Sequence, residues 1–250
     1  MGKRVLIAGE SWMTTSTHVK GVDEFSVHSY VEGVGPLRDA LTSRGHDVTH
    51  MPAHLVPTQF PGTAEALSQF DVVVLSDIGA NSLQLAPGVF DQFRAGEDRL
   101  VALRDWVNAG GSLMMIGGYL SFSGFQARAA FRQTAIAEVL PVTMLAEDDR
   151  VETPAGIVPT VVDAAHPALG GAGDSWPALL GYNRVVAKDG AVVPATINGD
   201  PLVAAGEYGA GRSIVFTSDC SPHWAPPEFC EQWPGYTDLF DGLISWVAGE

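Results

Sequence analysis

Basic residues are scarce in this chain. Fourteen Lys and Arg stand against 29 Asp and Glu over 250 residues, a formal charge of −15. Such a chain repels phosphate backbones and anionic bilayers, which excludes nucleic acid and membrane surfaces as main partners and favours solubility. Cysteine is nearly absent as well. Cys220 and Cys230 alone build neither a disulfide scaffold nor a cysteine-only zinc site. No apolar run approaches the ~20 residues that span a bilayer. The first apolar run, Val5–Ala8, is too short for a signal sequence, and Glu10 closes it. Together these absences read as a cytoplasmic protein with reduced thiols.

What the chain does have is apolar residues, 46% of the total, enough for a sizeable core. A length of 250 residues fits one α/β domain over 1–250. Continuous apolar runs at 4–8, 71–76 and 112–116 predict strands buried on both faces, and 46–51 predicts a weaker one. Between them, Val31, Val34, Leu37, Ala40 and Leu41, and then Leu100, Leu103 and Val107, recur at helical spacing. Gly45 and the pair Gly110 and Gly111 close those helices. Strand alternating with helix implies parallel strands and right-handed crossovers, hence a flavodoxin-like, doubly wound α/β fold. A shorter helix is expected over 131–139. Residues 10–29 are polar and read as a long loop.

From 141 to 217 the chain turns rich in Val, Pro and Gly, and reads as a β-rich extension. Its short extended runs are 158–162, 192–196, 202–205 and 213–217, with a hairpin turn at Tyr208–Arg212 joining the last two. Tyr236, Leu239, Phe240, Leu243, Ile244 and Val247 line one face of a closing helix.

In open parallel sheets, ligands bind beyond the carboxyl ends of the strands. Glu10, Ser11 and Trp12 follow the first run, and Ser76, Asp77 and Asn81 follow the third. Gly118, Tyr119 and Ser121 follow 112–116, and Ser218, Asp219, His223 and Trp224 follow the last. Three prolines stiffen residues 217–229, which suits a loop that presents side chains in fixed geometry. Each group also has a plain structural reading. Asp77 is equally a helix cap, and His223 a packed loop residue. Cys220 reads as a small buried hydrophobe. Trp12 and Trp224 are either an aromatic wall for a sugar or planar ligand, or core packing. The corner after 112–116 is where α/β enzymes often present a catalytic Ser or Cys, and here it carries Tyr119.

Ala8–Trp12, Leu75–Asn81, Gly117–Ser121 and Pro222–Glu228 together resemble the family described as "putative glutamine amidotransferase", in the class I glutamine amidotransferase-like superfamily. The resemblance runs over nearly the whole chain. His166–Gly170 is similar to a segment of the neighbouring ThuA-like, sugar-utilisation-associated proteins. The resemblance implies a Cys-His-Glu triad, with the cysteine in a Gly-x-Cys-x-Gly turn. Laid over this chain, the cysteine position falls on Tyr119, and the His-Pro-Glu counterpart lies near His223 with its acid displaced to Glu228. A phenol with a pKa of about 10 is a poor nucleophile toward a carboxamide.

Three readings follow. The first is an amidotransferase-like domain without glutaminase activity that binds a small polar ligand, carbohydrate among the candidates, with no cofactor. Its chemical groups are Glu10, Asp77, Tyr119 and His223, and Ser11, Trp12, Asn81, Gly118, Ser121, Asp219 and Trp224 surround the ligand. The second is an enzyme of different chemistry, an isomerase, lyase or hydrolase on a sugar derivative. There Glu10 or Asp77 serves as base, His223 as acid and Tyr119 as a donor to an oxyanion. The third is a metal site drawn from His18, His28, Asp77, Asp219 and His223, no pair of which has a recognised ligand spacing. Ser121 and Cys220 are fallback nucleophiles. The apolar residues around Trp233 and Tyr236 suggest a homo-oligomer, which the net charge opposes.

Overall fold

The computed structural model describes residues 2–249. Its strands are β1 (Arg4–Gly9), β2 (Ser11–Lys20), β3 (Asp23–Glu32), β4 (Asp47–Met51), β5 (Val72–Ser76), β6 (Ser112–Ile116), β7 (Val142–Met144), β8 (Arg150–Ile157), β9 (Thr160–Val161), β10 (Leu179–Asn183), β11 (Val185–Ala187), β12 (Val192–Ile197), β13 (Asp200–Tyr208) and β14 (Gly211–Phe216). Eight of them form one sheet in the order β4-β1-β5-β6-β14-β13-β12-β9. The first five in that order are parallel. This is the strand order of a flavodoxin-like, doubly wound fold. From β14 outward the pairings are antiparallel.

The central strands are apolar throughout because both faces are covered. Val5 and Ile7, Val72 and Val74, Met114 and Ile116, and Ile214 and Phe216 point into one core layer with the helices Gly35–Ser43 and Gly235–Val247. Leu6 and Ala8, Val73 and Leu75, Leu113 and Met115, and Val215 point into the other, against the helix Arg99–Asn108. Every one of these strand residues is at most 1% exposed. Each large aliphatic member contributes roughly 1.5–3 kcal/mol by burial. Two local signals start the helices. Pro36 sits in the first turn of one, and the Asp98 carboxylate accepts from the amides of Leu100 and Val101, both at 3.1 Å, at the start of the other.

Four expectations from sequence are corrected. Residues 10–29 form a two-stranded antiparallel arm, β2–β3, rather than a loop, and Val31 pairs with Trp12 in that arm instead of opening a helix. The stretch 131–139 holds a 3₁₀ turn at Phe131–Gln133 and one helical turn at Ile136–Val139, not a continuous helix. The run 158–162 shrinks to Thr160–Val161. The predicted 213–217 run is the fifth parallel strand of the core and not a part of the extension. Apolar content marks it as buried but does not reveal its direction.

Candidate functional site at the strand ends

The parallel strands end on one edge of the sheet, and the backbone bends sharply there. Glu10 follows β1 with φ +49°, and Asp77 follows β5 with φ +41°. Residues other than glycine seldom take the left-handed region, and such strain collects at functional sites. Asp77 is followed by the short helix Ala80–Gln84, so it stands at a strained strand-to-helix turn. This is the geometry in which α/β hydrolases present a nucleophile. Tyr119 is not there. Its backbone has no positive φ, and irregular turns follow it rather than a helix. The strained turn therefore belongs to Asp77, which corrects the sequence reading.

Glu10 lies under the edge, 1% exposed. Ser76 Oγ donates to its Oε2 at 2.5 Å, and Ser221 Oγ donates to its Oε1 at 2.6 Å. The Cys220 thiol lies 3.7 Å from Oε2. Burial, with the neighbouring Asp219 charge, pushes the Glu10 carboxyl up to about 7. The packing around it leaves no slack. A β-carbon on Gly33 would stand 2.7 Å from Glu10 Oε1 and 2.8 Å from Ser221 Oγ.

Asp77 is half-buried. Leu120 N–H donates to its Oδ1 at 2.7 Å, while its own N–H donates to Ser121 Oγ at 3.2 Å. Burial and the Glu10 charge raise its carboxyl to about 6, against the pull of that amide and of His223. Asp219 is 2% exposed. Its Oδ1 accepts from the amides of Cys220 at 2.8 Å and Ser221 at 3.3 Å, and its Oδ2 lies 3.3 Å from His223 Nδ1. Burial and Asp77 hold Asp219 well above the ordinary carboxylate range. The site is thus three acids sharing a poorly solvated basin, with one histidine steered by the third acid.

Above the basin lies a cleft of about 530 Å³, lined by Trp12, Asp77, Tyr119, Leu120, Phe125, Arg128, Asp219, Ser221, Pro222 and His223. The Tyr119 ring meets His223 edge-on at 4.4 Å between centroids. Its hydroxyl donates to Glu152 Oε1 at 3.0 Å, and Arg150 lies 4.9 Å over its face. Burial and Glu152 push the phenol further up from its ordinary value, away from any nucleophilic role.

The structure thus brings Asp77, Tyr119, His223, Asp219 and Trp12 to one cleft, with Glu10 beneath them. Other expected members stand elsewhere. Trp224 is 1% exposed and donates through Nε1 to Glu152 Oε2 at 3.1 Å, so it supports Tyr119 from behind. Ser11 Oγ accepts from the Ala53 amide at 2.8 Å. Asn81 is exposed on its helix, outside the cleft lining. Gly118 donates its N–H to Asn183 Oδ1 at 2.9 Å, and Ser121 props the Asp77 turn. Cys220 is fully buried, and burial with Glu10 and Asp219 pushes its thiol well above the ordinary value. That is the opposite of an activated thiolate.

His18 and His28 lie on the exposed arm, one stacked on Phe25 and the other bonded to Thr15 Oγ1. Among the described residues, the group with metal-ligand spacing is Glu10, Asp219 and Cys220, with atoms within 4.8 Å of one another. Each of these already has protein partners. Sequence reasoning missed Ser221, Arg128, Phe125 and Glu152. Ser221 was reachable, since it lies inside the proline-stiffened loop. Glu152 comes from β8, and nothing in its local pattern points to the cleft.

The family model described as "Putative glutamine amidotransferase" matches residues 4–249. The chain belongs to that family. Cytoplasmic Protein STM3548 from Salmonella typhimurium is 45% identical, covers 98% of each chain and superposes with a TM-score of 0.94. Cytoplasmic Protein STM1381 from Salmonella typhimurium LT2 is 44% identical, covering 98% of this chain and 99% of its own, with a TM-score of 0.93. A ThuA-like protein from Parabacteroides merdae shares the fold at 14% identity, with a TM-score of 0.57 over 100% of this chain and 91% of its own. The chain matches none of the curated proteins. No helix of the described residues is long and apolar enough to cross a membrane.

Proposed function

We propose that this member of the amidotransferase-like family has no glutaminase activity and that its strand-end cleft takes a small, polar, uncharged ligand about the size of a monosaccharide. The observation that carries this reading is Asp77 at the strained turn. A carboxylate attacking a carboxamide forms a tetrahedral adduct that expels the carboxylate, a far better leaving group than the amide nitrogen, so the adduct reverts and no ammonia is released. The nearby thiol, Cys220, is buried beneath the basin and held protonated. Aromatic walls and two acids favour a hydroxyl-rich ligand over an anion, and a carbohydrate has that chemistry.

The same groups suit acid–base chemistry. Asp77, raised to about 6, is poised to exchange a proton near neutral pH. Asp219 fixes the orientation of His223, leaving the far ring nitrogen free to act on a ligand. Glu10 does not line the cleft, so its part is to tune Asp77 from below. An isomerase, lyase or hydrolase acting on a sugar derivative is the activity this set supports. The relatives' cytoplasmic description supports placing this chain in the cytoplasm.

Two measurements test the reading. Ammonia release from glutamine should be absent, and turnover that is lost in Cys220→Ser would overturn it. A thermal-shift screen of neutral sugars and polyols should find a stabilising ligand. Asp77→Asn and His223→Ala should each abolish that shift while leaving the unliganded Tm within a few degrees. A ligand that still binds both variants lies elsewhere.

A further inference from the structure

The arm β2–β3 is built unlike the rest of the molecule. Each strand has ten residues, about 33 Å of extended chain, and each pairs only with the other. Apart from Ser11, every residue of the two strands is exposed. A lone two-stranded ribbon is marginal in water and needs further strands or a packed face. This ribbon instead displays Trp12 at 38%, Phe25 at 50% and Val27 at 49% exposure on one face, and Met13 and Val19, both at 67%, on the other. The usual protections of a free sheet edge are missing from β2. From Ser11 to Val19 it has no proline, no glycine and no charge.

We infer that this arm is a dimerisation element, in which β2 pairs antiparallel with β2 of a second copy about a two-fold axis at Ser16. The choice of occupant follows from the residues. A two-fold axis makes an edge complementary to itself, and antiparallel partners must lie on the same face of the sheet. Centring on Ser16 sets Trp12 opposite the partner's Lys20, Met13 opposite the partner's Val19, and Thr15 opposite the partner's Thr17. The charge pattern selects β2 over β3. Lys20 is the arm's one cation and meets an indole face in this register. Self-pairing of β3 centred on His28 would set Glu24 against Glu32. The four-stranded sheet that results has the extra strands the ribbon lacks. Because Trp12 lines the cleft, pairing also brings the partner's Lys20 to the cleft rim. This inference stands independently of what the cleft binds.

The test uses the full chain. Sedimentation at micromolar concentration and about 0.3 M salt, which screens the net negative charge, should give twice the 26.4 kDa chain mass. Thr15→Lys with Thr17→Lys sets lysine against lysine across the axis on exposed positions. That variant should sediment as a single chain with an unchanged melting curve for the body. Ser16→Cys should form an intermolecular disulfide on mild oxidation, since directly paired residues lie within disulfide reach, while Ser26→Cys on the other edge should not. The two native thiols are buried and do not interfere. A single-chain mass for the wild type, an unchanged dimer in the double-lysine variant, or no crosslink at Ser16 each overturns the inference.

Discussion

Two neighbouring stretches of chain meet opposite fates. Glu10 is sealed at 1% exposure, while Val22, at the far end of the arm that begins one residue later, is fully exposed at 101%. The basin holds ionisable groups where water is scarce, and each is matched by a hydroxyl or an amide. The arm holds apolar groups where water is abundant. Both arrangements run against the general tendency of residue burial, and departures of this kind mark places where function outweighs stability. The two differ in what a substitution should do: changes in the basin propagate, and changes in the arm stay local.

The sharpest contrast lies at the two ends of β3. Gly33→Ala drives a β-carbon into Glu10 and Ser221, and should cost roughly 2–3 kcal/mol, lowering Tm by about 5–10 °C. Gly21→Ala at the other end meets nothing within 4 Å, although φ is +68°. The turn absorbs that strain of about 1–2 kcal/mol, and the Tm of the body should stay put. Equal Tm losses for the two variants would erase the contrast.

An effect of comparable size concerns pH. Native Glu10 keeps its proton to about pH 7, whereas the unfolded side chain releases it near 4.5. The folded state therefore binds more protons across that window. Stability contributed by this group falls as pH rises from 4.5 to 7, by roughly 3 kcal/mol at most, and levels off above. Glu10→Gln removes the titration. Urea unfolding at pH 5 and pH 8 should show the Glu10→Gln variant gaining on the wild type at the higher pH. Parallel behaviour at both pH values would mean that Glu10 is not raised.

The smallest effect belongs to the arm. Val27→Ala in the double-lysine background should change body stability by less than ~0.5 kcal/mol, as for any exposed position. A larger loss would show that the arm packs on its own body.

The central strands were legible because burial on both faces writes itself as unbroken Val, Leu, Ile and Met. The meeting of Asp77, Tyr119 and His223 was legible for a related reason: parallel strands share a carboxyl edge, so residues just past them share a site. The arm was not legible. Its Thr, Ser and His content lowers hydropathy to that of a loop, and no core face imposes a clean alternation. The strained turn at Asp77 was hidden too, because it is a property of φ and not of residue type. Glu152 and Arg150 reach the Tyr119 wall only through β8, and pairing among short strands of the extension leaves no local trace.

The bond from Ser221 to Glu10 joins groups 211 positions apart along the chain. During synthesis Glu10 leaves the ribosome long before Ser221, its second hydroxyl donor beside Ser76, which follows only after the 210 residues between them. Until then the acid must stay ionised and wet, which keeps the end of β1 from closing early. The basin is thereby a late event in folding, dependent on contacts of high sequence separation that form slowly. A nascent chain that stops short of residue 221 should retain an open β1 terminus, because the Ser221 contact that closes over Glu10 is missing.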